Sequence, residues 1–389
     1  ITSPGRIDSY SLDLQGLGFS LSAGPVSISG GLLKVPASNG VSLEYDGVAR
    51  IEAGGWSVAA LGSYAELNDH PSLFLFAQLG AEIGGPPFFF VTRLCAGFGY
   101  NRSLRLPQQD EGPSFPLLAG IADPAQLGGP KATPAQALAK LKDWVAPAQG
   151  VDWVAAGVQF TSFELVHSNV VVSATLTEDP QVALLGVSRI KLGQSGPQFA
   201  YAELGLEVVI RPSAGFMGAS AVLSPNSYVL TPDCHLTGGF AFWIWYSGDH
   251  AGDFVITLGG YHPAFQKPSH YPDEARLGFS WQVNDNLTVQ GQAYFALTPS
   301  CAMGGGELDV LFHSGDLRAW LTAQADFLFT WKPFYFIGDV RISIGASYKL
   351  DLLFFSVTIS VELGAGLEIW GPPTGGRVPI DWYIISFCI

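Results

Sequence analysis

The chain alternates. From Arg276 to Val283, Leu277, Phe279, Trp281 and Val283 share one side of an extended backbone, and Arg276, Gly278, Ser280 and Gln282 share the other. Asn284-Asp285-Asn286 is turn sequence. Leu287, Val289, Gly291, Ala293 and Phe295 then resume the apolar side, opposite Thr288, Gln290 and Gln292. This predicts a β-hairpin. The pattern repeats from Glu307 to Phe329 around Ser314-Gly315-Asp316, again over 340–349, and again over 355–363. Further strands are predicted at Gly55–Tyr64, Ser72–Ile83, Phe88–Phe98, Val158–Leu176, Phe199–Ile210 and Gly215–Leu223. Phe88–Val91 and Phe240–Trp245 are apolar on both sides, which predicts central strands between layers.

One segment breaks the alternation. Leu104–Val154 is rich in Pro, Gly and Ala. Thr133 is an N-cap candidate, Pro134 fits a first helical position, and Leu138, Leu141 and Val145 share a face before Pro147 ends the run. The fold class is therefore all-β: one large antiparallel meander sheet curled into a barrel-like or two-layer structure, with one short helical insertion at 104–154. A single β-rich domain over 1–389 is expected. Phe76–Glu82 resembles Tyr201–Glu207, a short internal similarity that fits repeated supersecondary units.

Composition narrows the class. Charged residues make up 13% and hydrophobic residues 48%, with 47 glycines among 389 residues. A chain this apolar buries enough surface to fold, which excludes disorder. The absence of an 18-residue apolar run excludes a helical membrane protein. The net charge of −14, with 19 scattered basic residues, excludes nucleic acid as a partner. No signal peptide is visible in this stretch, and the compartment is left open, with an extracellular or cell-surface location admitted. The ends of the chain read as parts of a longer polypeptide.

Cys95, Cys234, Cys301 and Cys388 lie far apart with no metal-ligand spacing, which predicts buried free thiols; disulfides are the alternative in a secreted protein. No nucleophile elbow, zincin or phosphate-loop motif occurs, and no cofactor is expected. Met303-Gly304-Gly305-Gly306 reads as a glycine turn. The densest polar cluster is Asp249, His250, Asp253, Tyr261, His262, His270 and Tyr271. The strand 254–260 separates Asp249, His250 and Asp253 from His262 and His270 by roughly 23 Å at 3.3 Å per residue, so one shared site requires the chain to fold back. These residues are candidates for catalysis or metal binding, or else ring-on-proline packing in loops. Charged residues inside strands, namely Glu82, Glu207, Glu307, Asp309, Arg318, Asp326, Arg341 and Glu362, must pair wherever the sheet is covered.

Longer phrases carry a resemblance. Gly84-Gly-Pro-Pro-Phe-Phe-Phe-Val-Thr92, Ala96-Gly-Phe-Gly-Tyr-Asn-Arg102, Leu258-Gly-Gly-Tyr-His-Pro-Ala-Phe265, Tyr294-Phe-Ala-Leu-Thr-Pro-Ser300 and Trp331-Lys-Pro-Phe334 occur in order. Together they resemble a family of very large bacterial and fungal β-rich proteins, catalogued only as a domain of unknown function. The resemblance implies no catalytic residues and no activity.

Three functions fit these readings. The first is a non-catalytic structural or interaction module, with an apolar cavity for a lipid-like ligand. The second is an enzyme or metal site built on the 249–271 cluster. The third is a membrane-associated β-barrel, which the doubly apolar strands and the long insertion oppose. The remainder of its own polypeptide, or a second copy paired through an edge strand, is the expected partner.

Overall fold

The computed structural model describes residues 14–36, 40–107, 111, 115–122, 144–193, 198–351 and 356–388. The chain divides into two units, Ile1–Val187 and Ser188–Ile389. The boundary falls inside a strand at Val182–Leu192, labelled β9 below.

The first unit is an antiparallel meander. Its strands are β1 (Gly16–Ala23), β2 (Val26–Val35), β3 (Val41–Ala53), β4 (Trp56–Leu67), β5 (His70–Gly84), β6 (Phe90–Tyr100), β7 (Asp152–Ser162) and β8 (Val166–Leu176). Each of β1–β7 pairs with its successor in the chain. Val158–Leu176, read from sequence as one strand, is the hairpin β7–β8. Phe163 and Glu164 both turn in the left-handed region at its tip, a break that the β-prone residues on either side conceal. Phe88 and Phe89 lie in an exposed turn before β6, not in a central strand.

The insertion between β6 and β7 packs onto one face of this sheet. Its helix, α1 (Pro116–Ala122), opens on a proline whose fixed φ suits a first helical position. Phe115, Leu117, Leu118 and Val145 are buried against Leu61, Phe76, Trp153 and Val171 of the sheet. Each such side chain contributes roughly 1.5–3 kcal/mol. The helix expected from Thr133 lies outside the described residues, apart from Val145.

The second unit contains β10 (Ala200–Arg211), β11 (Phe216–Leu223), β12 (Tyr228–Val229), β13 (Cys234–Thr237), β14 (Gly239–Trp245), β15 (Phe254–Leu258), β16 (Leu277–Asn284) and β17 (Leu287–Leu297). Then come β18 (Cys301–Ser314), β19 (Leu317–Trp331), β20 (Phe334–Asp351), β21 (Ser356–Gly371), β22 (Gly375–Arg377) and β23 (Ile380–Cys388). From β17 to β21 each strand pairs with the next, and β21 pairs with β22 and β23. The 276–295 hairpin is present in the expected register, with Trp281 opposite Val289 and Phe279 opposite Gly291.

The eight strands β10–β17 pair into a closed circuit. It is not a barrel. β11 and β12 both lie against β10, β13 and β14 are separated only by Gly238, and β15 and β16 both lie against β17. Three columns of sheet are thus each split into two strands. The column β15–β16 is interrupted by an excursion over 259–276, whose ends meet: a Cβ on Gly259 would lie 2.7 Å from the Leu277 nitrogen.

Candidate functional site

The excursion folds back along β15, and this brings together part of the polar cluster. The Asp253 carboxylate accepts a 2.8 Å hydrogen bond from His270 Nε2 and a 2.6 Å bond from the Tyr271 hydroxyl, besides one from the Phe254 amide. The His250 and His270 rings stack at 3.8 Å, and His270 stands edge-on to Trp245 at 4.8 Å. Tyr271 stacks on Trp245, and Tyr261 extends the stack while donating to the Pro272 carbonyl. Burial and the carboxylate together push the Tyr271 hydroxyl up, so it stays protonated. Tyr261 is pushed up by burial and by Glu274 and Asp273.

His262 stands apart from this group. Its amide donates to Met303 Sδ, and its Nδ1 accepts from the Ala264 amide at 3.0 Å. The proton of the neutral ring therefore sits on Nε2, which is buried without a hydrogen-bond partner. Burial lowers its pKa, against the pull of Asp326 and Asp339 and together with the repulsion of Arg276. Beneath it, Tyr294 donates to Asp326, and Arg276 lies 3.9 Å over the Tyr294 ring while bonding the carbonyls of Gly259 and Tyr261.

Chemically, Asp253 accepts from three donors and ties the end of the excursion to the start of β15. Asp249 and His250 lie in the loop before it. Among the described residues no group of three or more His, Cys, Asp or Glu side chains is placed to hold a metal ion. Cys95, Cys234 and Cys301 are buried free thiols, and burial pushes Cys95 up to about 12.

His250, His270 and Asp249 also wall an open pocket of about 570 Å³. Its floor comes from residues that sequence reading did not assign to a site; Glu207 stood there only as a charge inside a strand, and Trp243 and Trp245 only as part of an apolar segment. Opposed residues of an antiparallel pair project to the same side, and the registers give three rows across β10, β11 and β14. These are Arg211–Phe216–Trp245, Val209–Gly218–Trp243 and Glu207–Ser220–Ala241. Phe216 packs on both tryptophans, at 5.2 and 5.4 Å, and Trp243 Nε1 donates to Ser220. Gly218 makes the pit, since a Cβ there would lie 2.7 Å from the Phe216 ring. Burial pushes the Glu207 carboxyl up, against Arg211. In the sequence Phe240–Trp245 is apolar on both sides, and only the pairing shows that Trp243 and Trp245 share a side with Gly218 and Phe216 of the adjacent β11.

The other face of the same sheet is different in kind. Across β18–β21 the rows run Val310–Leu321–Ile344–Leu363, Leu308–Ala323–Ile342–Ala365 and Gly306–Ala325–Val340–Leu367, with Phe327, Phe329, Trp331, Phe334 and Phe336 beyond them. Much of this face is uncovered: Ile344 is 55% exposed, Val361 50%, Phe327 49% and Leu367 47%. The intervening positions are polar. Gln292 holds Glu307, Ser343 holds Glu362, and Arg341 bridges Asp339 and Glu368, to which Arg377 also binds. In the first unit, Ile51, Val58, Leu73, Leu75, Phe98, Val154 and Val172 form the corresponding exposed apolar face. Its covered face holds Arg102, bonded to Ser63 at 2.8 Å and paired with Glu44. Among the described residues no helix is long and apolar enough to cross a membrane.

The profile of a family of unknown function, DUF6603, matches residues 2–389. The chain belongs to this family. The match covers both units, so the exposed apolar faces and the excursion are parts of a DUF6603 domain and not of an appended module. No curated protein matches the chain.

Proposed function

We propose that this DUF6603 chain is a non-catalytic module that holds hydrocarbon, the acyl chains of lipids, against the apolar face of its sheet. The observation behind this reading is the set of aligned apolar rows across β18–β21, with Leu308, Val340, Ile342, Ile344, Leu363 and Leu367 exposed among them, opposite a face that carries charged residues. A soluble surface seldom carries an apolar patch beyond a few hundred Å². A protein partner would bring about one hydrogen bond per 100–200 Å² of interface, yet the central rows of this face carry no polar side chain. Hydrocarbon asks for none. The acidic balance of the chain, −14, disfavours anionic headgroups and favours zwitterionic or neutral lipids.

The test uses the whole chain and phosphatidylcholine vesicles in a flotation gradient. The parent protein should float. Ile344→Glu combined with Leu363→Glu, opposed across β20 and β21 and exposed, should stay at the bottom with its melting temperature within a few degrees of the parent. Native mass spectrometry after exposure to a lipid extract separates capture of individual lipids from docking on a bilayer. If the parent neither floats nor carries lipid, the reading is wrong.

A further inference from the structure

We propose that the pit over Gly218 is a binding site for a neutral, hydroxyl-rich ring: a sugar unit, either free or within a glycan. The pit lies on the opposite side of the sheet from the apolar rows, because Trp243 and Trp245 alternate with Phe242 and Ile244, whose partners Ile256 and Phe254 belong to the apolar side. The inference is therefore independent of the lipid reading. The volume of about 570 Å³ is within the range of small-molecule sites and holds one or two sugar rings.

Three features of the lining select the ligand class. Phe216, Trp243 and Trp245 offer a broad apolar wall, which suits a ring with C–H groups on its face. Ser213, Ser220 and Ser247 supply small hydroxyls that both donate and accept, matching hydroxyls around a ring edge. The formal charges are of mixed sign: Glu207 and Asp249 oppose an anion, and Arg211, at the end of the Phe216–Trp245 row, opposes a cation. A neutral ligand that is apolar on its face and polar at its rim satisfies all three. His270, clamped by Asp253 and stacked on His250, gives the wall a fixed donor or acceptor at the rim.

The experiment is saturation-transfer NMR on the intact chain, irradiating aromatic protons. The probes are glucose, galactose, mannose and N-acetylglucosamine, each as monomer and as short oligomer. At least one should receive saturation on the C–H groups of one ring face; monomer against oligomer binding distinguishes a free sugar from a glycan. Glu207→Gln, which keeps the shape of the pit, should weaken binding about tenfold by replacing a charged hydrogen-bond acceptor with a neutral one. Trp243→Phe should reduce the transfer while circular dichroism stays unchanged. The Ile344→Glu, Leu363→Glu variant should bind sugar like the parent. The proposal is overturned by any of three results: no transfer to any saccharide at tens of millimolar, transfer unaffected by both pit variants, or binding of tetramethylammonium or benzoate in place of the sugars.

Discussion

His262 shows what burial does to one side chain. Its ring is held neutral in the fold, with Nδ1 accepting from Ala264 and Nε2 left without a partner. Its folded pKa lies below the ordinary 6.5. The unfolded chain therefore takes up a proton near pH 6.5 that the folded chain refuses, and stability must fall as the pH drops below that value. Above pH 6.5 this contribution is constant. His262→Asn keeps an acceptor for the Ala264 amide and cannot titrate. Its unfolding free energy, from urea titrations at pH 5, 6 and 7.5, should show a slope shallower by up to about 1.4 kcal/mol per pH unit. Equal slopes in parent and variant would mean that the ring is hydrated in the fold. Tyr271 tests the neighbouring cluster. Tyr271→Phe keeps the stack on Trp245 but removes the 2.6 Å bond to Asp253, leaving a partly buried carboxylate short of a donor. The expected loss is about 1–3 kcal/mol in the same assay, with no change in sugar binding. A loss of sugar binding at unchanged stability would place Tyr271 in the pit chemistry and not in the staple.

The element that shapes the site is the excursion 259–276, and it leaves the sheet through Gly259. The residue has φ +73°, and a Cβ there would lie 2.4 Å from the Ala293 carbonyl oxygen. Gly259→Ala should cost about 1–3 kcal/mol in urea unfolding while far-ultraviolet dichroism keeps its β signature. A neutral result would mean that the exit can be rebuilt without the left-handed turn. This element also marks where the sequence stops being readable. Long hairpins such as Leu277–Leu297 were legible because each strand alternates over many residues, and one register satisfies the whole apolar side. The return of the excursion was not. Along an extended strand Asp253 and His270 are far apart, and the fold-back rests on scattered side-chain contacts, those of His270 and Tyr271 with Asp253 and Trp245 among them, that leave no periodic trace. Arg211, Phe216 and Trp245 form one row but come from three strands, so only the pairing shows them as neighbours. The turn at Phe163-Glu164 was hidden for a different reason: neither residue favours a positive φ, and the hairpin imposes it.

At the scale of the whole molecule, two terms oppose each other. Both units expose an apolar sheet face, which favours association wherever hydrocarbon is absent. The net charge of −14 keeps copies apart at a distance. Salt acts on only one of these, because the Debye length shrinks from about 30 Å at 0.01 M to about 8 Å at 0.15 M, while apolar contact is not screened. Lipid-free protein should therefore sediment nearer to monomer at low ionic strength and shift to larger species as salt is added. Micelles of a mild non-ionic detergent should reverse the shift by covering the faces. Ile344→Glu with Leu363→Glu should reduce association at every salt concentration, since it adds repulsion and removes apolar contact together. The sequence alone pointed to pairing through an edge strand, and that route behaves differently. Backbone ladders between edges do not involve the side chains of residues 344 and 363, which lie on inner strands, and micelles offer a strand edge no partner. Sedimentation velocity across salt, with and without detergent, separates the two routes. Oligomers that persist in detergent and survive the double substitution would reject the apolar face as the cause.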